Sequence, residues 1–526
     1  TVPEHVPTGF SSYRLKQALV LMLGFFFVFG LQINISIAIV CMVKVSNTTT
    51  DNTGNATSKF YICEGDTQPS DPSQSVPGAE FEWNNSQQGW ILSSFYFGVL
   101  ISQIFGGITA TKFGPKKVLG IAMTTAGIVT VLTPEVTRAG GFGALVALRV
   151  ITGLSTGVAG PSNMVFWSKW APVFERTKLV IISIQGSTIG ALVTLVTSGI
   201  LCTVASWTSI FYVFGLSCIL WLFLWLFHVF DTPRDHPRIS KAERDFIEDS
   251  IGKTTPIKTS EIPWKKILMC PAVLSILVIA MCANWATVSI TTVGPTYLRE
   301  ILQLTPLQIG LLSGSIALIM VTSTIISSLV ADFLRRRRIL STVATRKIFQ
   351  ATGSIIPATS AVIMGFLDCR HRTAAISLLI LSAVGSGPSY AAFHVNALDI
   401  APRYAGIISG ITSTFATVSG AIAPIVIKTM TQNGTLEEWR SVYILSASIG
   451  IFGLIIFLLF AQGEVLPWAK LDDDNKDLEL VEDTIKSDGD QEVFSIHNSV
   501  TVNTLSPEFY GEHNINFQNR GFENDS

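Results

Sequence analysis

FGALVALRVITGLSTGVAGPSNMVFW, residues 142–167, is an apolar run that carries a single charge, Arg149. A helix rising ~1.5 Å per residue crosses a hydrocarbon core of ~30 Å in about 20 residues, so this run reads as transmembrane. A charge at that depth costs ~2.5–3.5 kcal/mol on insertion scales and faces a cavity or a partner rather than lipid. The stretches at matching depth elsewhere in the chain supply no obvious carboxylate. A transported anion is then the natural counter-charge.

The rest of the chain supports a membrane reading. Of its 526 residues 48% are hydrophobic and only 14% charged, with mean hydropathy +0.47, where a soluble domain carries about 25% charge. Spans are expected near 18–43, 89–110, 118–134, 142–167, 179–202, 208–230, 270–297, 307–331, 348–367, 373–397, 406–428 and 441–461. The expected fold class is thus an all-α polytopic membrane protein of twelve transmembrane helices in two six-helix halves, 18–230 and 270–461. Residues 1–17 and the acidic, polar stretch 462–526 flank the bundle, and the latter is expected to be disordered. The first run is too long for a cleaved signal peptide and is expected to stay as a helix.

Basic residues cluster on alternate segments: Lys112, Lys116, Lys117, Lys169, Arg176, Lys178, Arg234, Arg238, Arg335 to Arg338, Arg346 and Lys347. The positive-inside rule places these, and both termini, in the cytoplasm. The arginine run follows an apolar span directly, so it is expected to meet anionic lipid heads of the bilayer and not nucleic acid. The opposite face carries the long loop 44–88 with the glycosylation sequons Asn47-Thr-Thr, Asn55-Ala-Thr and Asn84-Asn-Ser, and a later loop with Asn433-Gly-Thr. The seven cysteines have no metal-ligand spacing, so no metal site is expected. Most are read as small buried apolar residues. Cys63 has Cys202 or Cys369 as a possible disulfide partner.

A polar linker, 231–269, separates the two halves, and the halves echo each other. Trp170-Ala-Pro172-Val-Phe-Glu175-Arg176 follows the fourth span, and Asp399-Ile-Ala-Pro402-Arg403 follows the tenth. Repeats of six spans with matching loops are the pattern of secondary transporters whose halves rock about a central site. Gly153, Gly157 and Gly160, and Gly406, Gly410 and Gly420, allow close helix approach.

Several blocks carry a family resemblance: GWILSSFYFGVLISQIFGG (89–107), FWSKWAPVFERTKL (166–179), DTPRDHPRIS (231–240), LDIAPRYAGIISGITSTFATVSG (398–420) and GEVLPWAK (463–470). In order and over about 15–470, the chain resembles the sialin, vesicular glutamate and type I phosphate transporters, anion:cation symporters of the major facilitator superfamily. The resemblance implies alternating access and anionic substrates, and it lays Arg149 on the fourth-helix arginine that the family uses for them. The departures are informative. Gln32 stands where relatives have a first-helix arginine, and Thr152 and Thr156 where sialin-type proteins have the glutamates linked to proton coupling. Asn284 and Leu92 replace the seventh-helix arginine and second-helix histidine of the glutamate transporters. Thr111 replaces the superfamily's loop aspartate, whose second-half counterpart is kept as Asp332. This pattern leans toward the phosphate and organic-anion branch, with sodium or membrane voltage as the drive.

Arg149 can anchor an anion, its guanidinium fork matching carboxylate or phosphate, or it can bond backbone carbonyls. Gln32, Asn284, Asn396 and His394 are the further candidates for substrate contact, with interhelical hydrogen bonding as the alternative use of such groups. His394 is also the candidate for proton sensitivity. Asp332, Glu175, Arg176, Asp399 and Arg403 are expected at the cytoplasmic mouth as gate pairs. Lys428 is expected to snorkel outward. No nucleophile, acid–base or metal constellation supports an enzyme. The expected function is secondary active transport of a small organic or inorganic anion by a monomer without a cofactor, coupled to sodium or voltage. Proton-coupled transport of an acidic metabolite and a non-transporting anion sensor are the alternatives. Without an acidic dileucine signal, the plasma membrane is preferred to a lysosomal or vesicular one.

Overall fold

With no water in the bilayer core to satisfy the backbone, each apolar span has to close its hydrogen bonds internally, which makes it a helix. The computed structural model describes residues 12–44, 48–50, 56–58, 79–172, 175–252 and 262–469. Its helices are α1 (Tyr13–Met42), α2 (Asn85–Phe113), α3 (Pro115–Thr156), α4 (Ala159–Trp170), α5 (Arg176–Val204), α6 (Trp207–His228), α7 (Lys241–Gly252), α8 (Trp264–Met269), α9 (Pro271–Val288), α10 (Gly294–Glu300), α11 (Pro306–Arg336), α12 (Thr342–Met364), α13 (Arg372–Ile400), α14 (Ala405–Met430) and α15 (Leu436–Phe460). A short antiparallel ribbon, Thr48–Thr50 with Ala56–Ser58, lies in the first loop.

Ten helical stretches are long and apolar enough to span a membrane, one of them the 56 residues Pro115–Trp170. At ~1.5 Å per residue that stretch would run about 84 Å, far beyond one bilayer. It turns back at Gly141, whose φ of 60° together with ψ of −145° is a combination essentially confined to glycine, and so crosses twice. α12 is the remaining crossing, its polar residues lowering its hydropathy. The described residues therefore cross twelve times. The third crossing begins at Pro115 and is longer than the expected 118–134, because Gly114 ends α2 and Pro115 opens α3 directly.

The repeat heard in the loops is present in the packing. In the first group, α1 lies on α5 and α6, α2 on the fourth crossing, and α3 on α6. In the second, α9 lies on α14 and α15, α11 on α13, and α12 on α15. Each pairing corresponds to its counterpart six crossings later. The groups meet along two seams, α2 with α14 and α5 with α11, which the same correspondence exchanges. Close approach needs glycine at these contacts: Gly153 faces the Phe95 carbonyl within the first group, and Gly199 faces Gly310 across the second seam. Both seams close at the sequon end. Toward the basic end, Gly406, Ser409, Gly410 and Ser413 of α14 are exposed, a small polar face suited to a watery cleft and not to lipid.

The linker is not a free strap. Glu243 of α7 is fully buried and accepts hydrogen bonds from Ser12 Oγ (2.6 Å) and from the first free N–H groups of α1, Tyr13 and Arg14 (3.2 Å each). It is an N-cap supplied from another helix. Arg14 completes the clasp by pairing with Glu243 (3.1 Å) and Glu175 (2.5 Å).

One correction concerns the sequon end. Cys202 pairs with Cys41 and not with Cys63, because α1 and α5 run side by side and bring the two Cα atoms to 6.3 Å. Cys369 is also disulfide-bonded. Cys63, Asn47 and Asn55 lie outside the described residues, as does 470–526. The described ends of the loop 44–88 leave the bundle through a closed neck. Glu80 and Phe81 donate to the Met42 carbonyl (3.0 Å each), Lys44 donates to Phe81 (2.8 Å), and Glu80 pairs with Arg138 (2.8 Å).

Non-reducing peptide mapping should recover Cys41 and Cys202 in one linked species; a Cys63–Cys202 species in its place would overturn this pairing. The hydrogen bond from Arg138 holds the Glu80 carboxyl below its ordinary 4.5. A depressed carboxyl contributes stability above its unfolded pKa and loses it only as pH falls through the folded value. Hydrogen exchange at Lys44, Glu80 and Phe81 should therefore stay slow from about pH 7 to about pH 5, after correction for intrinsic rates, and R138Q should speed it throughout.

Candidate functional site

Leu145, Arg149, Thr152, Gly153 and Thr156 are buried together, as residues three and four apart on one helical face must be. Arg149 thus points into the first group, 4% exposed, toward α1. Its Nη1 donates to the Leu31 carbonyl and its Nη2 to the Gln32 carbonyl, each at 2.8 Å, with Asn34 Oδ1 at 3.5 Å. The guanidinium also lies 4.9 Å from the centre of the Phe95 ring, a cation–π contact. Among the described residues Arg149 makes no ion pair. Nε has no partner, and Nη2 has a second N–H besides the one given to Gln32. Those two hydrogens are the side edge of the fork, the geometry that takes a carboxylate or phosphate with two parallel bonds.

No acid sits on the same face. Thr152 donates to its own helix at Leu148 (2.8 Å) and Thr156 at Thr152 (2.9 Å), so both hydroxyls are spent locally. The charge of Arg149 is met by helix dipoles and a ring face instead.

Around this cation a polar layer crosses between the groups. Gln32 Nε2 donates to the Tyr96 hydroxyl (3.1 Å), which lies 3.4 Å from Thr292 Oγ1. Thr292 belongs to a π-helical turn, Ser289–Val293, placed ahead of Pro295, which has no N–H to continue the α-helical ladder. Asn284 Nδ2 donates to the Ala416 carbonyl (2.7 Å) and reaches Ser419 Oγ (3.4 Å) on α14. Gly420 leaves room there: a Cβ on it would stand 2.8 Å from the Tyr96 ring and 3.1 Å from Asn284. Tyr96 escaped the sequence reading because an aromatic in an apolar block carries no periodic signal of its hydroxyl.

The other expected residues divide. His394 is exposed and stacks on Phe393 (4.3 Å) and Tyr390 (5.3 Å), and Tyr390 bonds Thr287 of α9 at 2.7 Å. That face of α13 looks toward α9. Asn396 does not join the layer: it is buried near the basic end and donates to the Gln462 carbonyl (3.0 Å). Asp399 is locked within the second group by Arg346 (2.7 Å) and Arg335 (3.3 Å), and Glu175 by Arg14. Asp332 is exposed beside Arg335, Arg336 and Arg338. The side chains of Arg176 and Arg403 lie outside the described residues. Asn84 is exposed and its side chain caps α2 through Gln87 N (2.8 Å), while Asn433, also exposed, bonds Glu438 (2.9 Å). Lys428 does not snorkel: it is fully buried and 3.4 Å from Glu300, a partner the sequence reading missed.

The Major Facilitator Superfamily pattern matches residues 20–424. Human sialin is 40% identical over 458 residues, covering 87% of this chain and 91% of that protein. Vesicular glutamate transporter 2 from Homo sapiens is 35% identical, covering 85% and 74%, and vesicular glutamate transporter 1 from Bos taurus 34%, covering 85% and 77%. Among solved structures, a bacterial homologue of the human lysosomal transporter Spinster, inward-facing and unoccupied, has a TM-score of 0.64 at 12% identity, covering 87% of this chain and all of that one. The D-xylose-proton symporter has 0.62 at 16%, covering 86% and all of that chain. These two establish the fold alone. The protein is a multi-pass transporter of the Major Facilitator Superfamily and belongs to its sialin and vesicular glutamate transporter family.

Proposed function

We propose that the chain carries small organic or inorganic anions by alternating access, with Arg149 as the anchor. The observation that carries this is the unpaired side edge of a buried guanidinium with no carboxylate among the described residues to neutralise it. A bound carboxylate or phosphate there gains two charge-assisted hydrogen bonds, each worth roughly 1.5–3 kcal/mol. Two halves, 18–230 and 270–461, rock about the layer of Gln32, Tyr96, Thr292 and Asn284, with both termini and the basic loops in the cytoplasm. His394 extends this layer from α13. Asp332 and the loops holding Glu175, Arg176, Asp399 and Arg403 act at the cytoplasmic mouth when it closes, and Asn47, Asn55, Asn84 and Asn433 carry glycans on the other side. Sodium or membrane voltage drives accumulation, since Thr152 and Thr156 offer no carboxyl to shuttle a proton. Likeness to sialin favours a second reading, proton-coupled transport of an acidic metabolite, and likeness to transporters named for vesicles favours an internal membrane over the plasma membrane.

In reconstituted liposomes offered a panel of radiolabelled anions, with sodium, pH and voltage varied separately, uptake should respond to sodium or voltage. Saturable uptake driven by protons alone would move the assignment to the second reading. R149A should lower uptake by about a hundredfold or more, the loss of two charge-assisted bonds, with surface expression intact; full uptake by R149A would remove Arg149 from the site. Y96F should weaken apparent substrate affinity or turnover by roughly five- to tenfold, about one net hydrogen bond, because it frees Gln32 and Thr292 together. Unchanged kinetics in Y96F would make that hydroxyl a bystander.

A further inference from the structure

The two seams between the groups are related by the internal repeat, yet they are not built alike. Where α5 meets α11, backbone packs on backbone at Gly199 and Gly310. Where α2 meets α14, the outermost turn carries polar chemistry. Asn85, the first residue of α2, donates from Nδ2 to the Thr431 carbonyl at the end of α14, with the Gln432 carbonyl at 3.4 Å. Its Oδ1 accepts from Lys428 Nζ at 3.4 Å. Lys428 is fully buried and its other partner is Glu300 Oε1 at 3.4 Å, while Glu300 Oε2 accepts from Trp439 Nε1 at 3.0 Å. One turn deeper, Gly89 lets α2 lie against this assembly: a Cβ on it would stand 2.9 Å from the Pro424 carbonyl and from Lys428 Cβ.

We propose that Asn85 is the bolt of a latch that holds the sequon end closed, and that Lys428, set by Glu300 and Trp439, is its keeper. Lys428, Glu300, Trp439 and Thr431 all belong to the second group, so they travel together when the ends part. Of the polar bonds in this cluster, opening breaks only those of Asn85, and it admits water to Lys428 and Glu300 as an ion pair already formed. This division matters energetically. Separating a buried ion pair leaves an uncompensated charge and is expensive, whereas releasing an amide from a carbonyl and an ammonium costs about what one or two ordinary hydrogen bonds cost. Glu300 is what allows Lys428 to be buried in the closed state at all, with Arg299 beside it in sequence as the other cation of this corner. The latch rests on alternating access and not on which anion is carried.

The test is the distance between the two groups at the sequon end, measured by pulsed spin-label spectroscopy on the full chain in nanodiscs, without substrate. Labels at E82C and Q432C, both exposed positions, report it in a background with Cys218, Cys270 and Cys282 replaced. Wild type should be mainly at the short distance. N85A, which keeps the Asn84 sequon, should raise the long-to-short ratio by about tenfold. E300Q should raise it at least as far, because it leaves Lys428 buried without its counter-charge. E300Q/K428M, which removes both charges, should return the ratio toward wild type, a recovery that general misfolding would not produce. Wild-type distance distributions in both N85A and E300Q would overturn the latch. Because the readout uses no substrate, loss of the anion assignment would leave this result untouched.

Discussion

A cation in the middle of a bilayer has to be answered, and in this protein the backbone of α1 does so. Arg149 is held by the carbonyls of Leu31 and Gln32 and by the face of Phe95. Each helical carbonyl keeps a second lone pair after its own helix bond, so two adjacent carbonyls can take one guanidinium edge without unwinding the helix. The consequence is a cation that is positioned but not neutralised. Its side edge keeps hydrogens without a protein partner among the described residues, and the fourth crossing is tied to the first.

The rest of the molecule is arranged to let that tie persist while other contacts change. Within the first group, glycines bring α2 and the fourth crossing into backbone contact, and Cys41–Cys202 fastens α1 to α5. The Glu243 cap and Arg14 pairs fasten the start of α1 to the linker helix. Within the second, Arg346 and Arg335 fasten Asp399. Each of these fastenings lies inside one group or ties it to the linker. Between the groups there are hydroxyls, amides and glycines, Tyr96 with Thr292, Thr417 with Gln103 (3.3 Å) and Asn85 with Thr431, besides the single contact of the Lys428 ammonium with Asn85. Neutral bonds worth about 1 kcal/mol each can be exchanged within a transport cycle, which buried ion pairs do not allow.

The crossings, the turn-backs and the repeat were legible because each depends on local rules: span length, proline and glycine at helix ends, and the alternation of basic loops. Arg149 was legible for the same reason, since one charge in an apolar run violates a local rule. For Asn396 the sequence left two uses open, substrate contact and interhelical hydrogen bonding, and only packing revealed that it donates to the Gln462 carbonyl. Lys428 was misread, because its counter-charge, Glu300, lies more than a hundred residues away in the chain. The pairing of Cys202 was left open between alternatives that did not include Cys41, since sequence does not say that α1 and α5 lie side by side.

By itself the sequence determined that this chain is a twelve-crossing bundle with a lone central cation. Hydrophobic length and charge distribution act residue by residue and need no partner to be felt. Only the tertiary structure decided what that cation touches, which edge of it is left free, and which end of the bundle is shut. Those outcomes depend on which helices become neighbours, and a hydrogen bond between distant residues has no trace in the chain until packing brings donor and acceptor within ~3 Å.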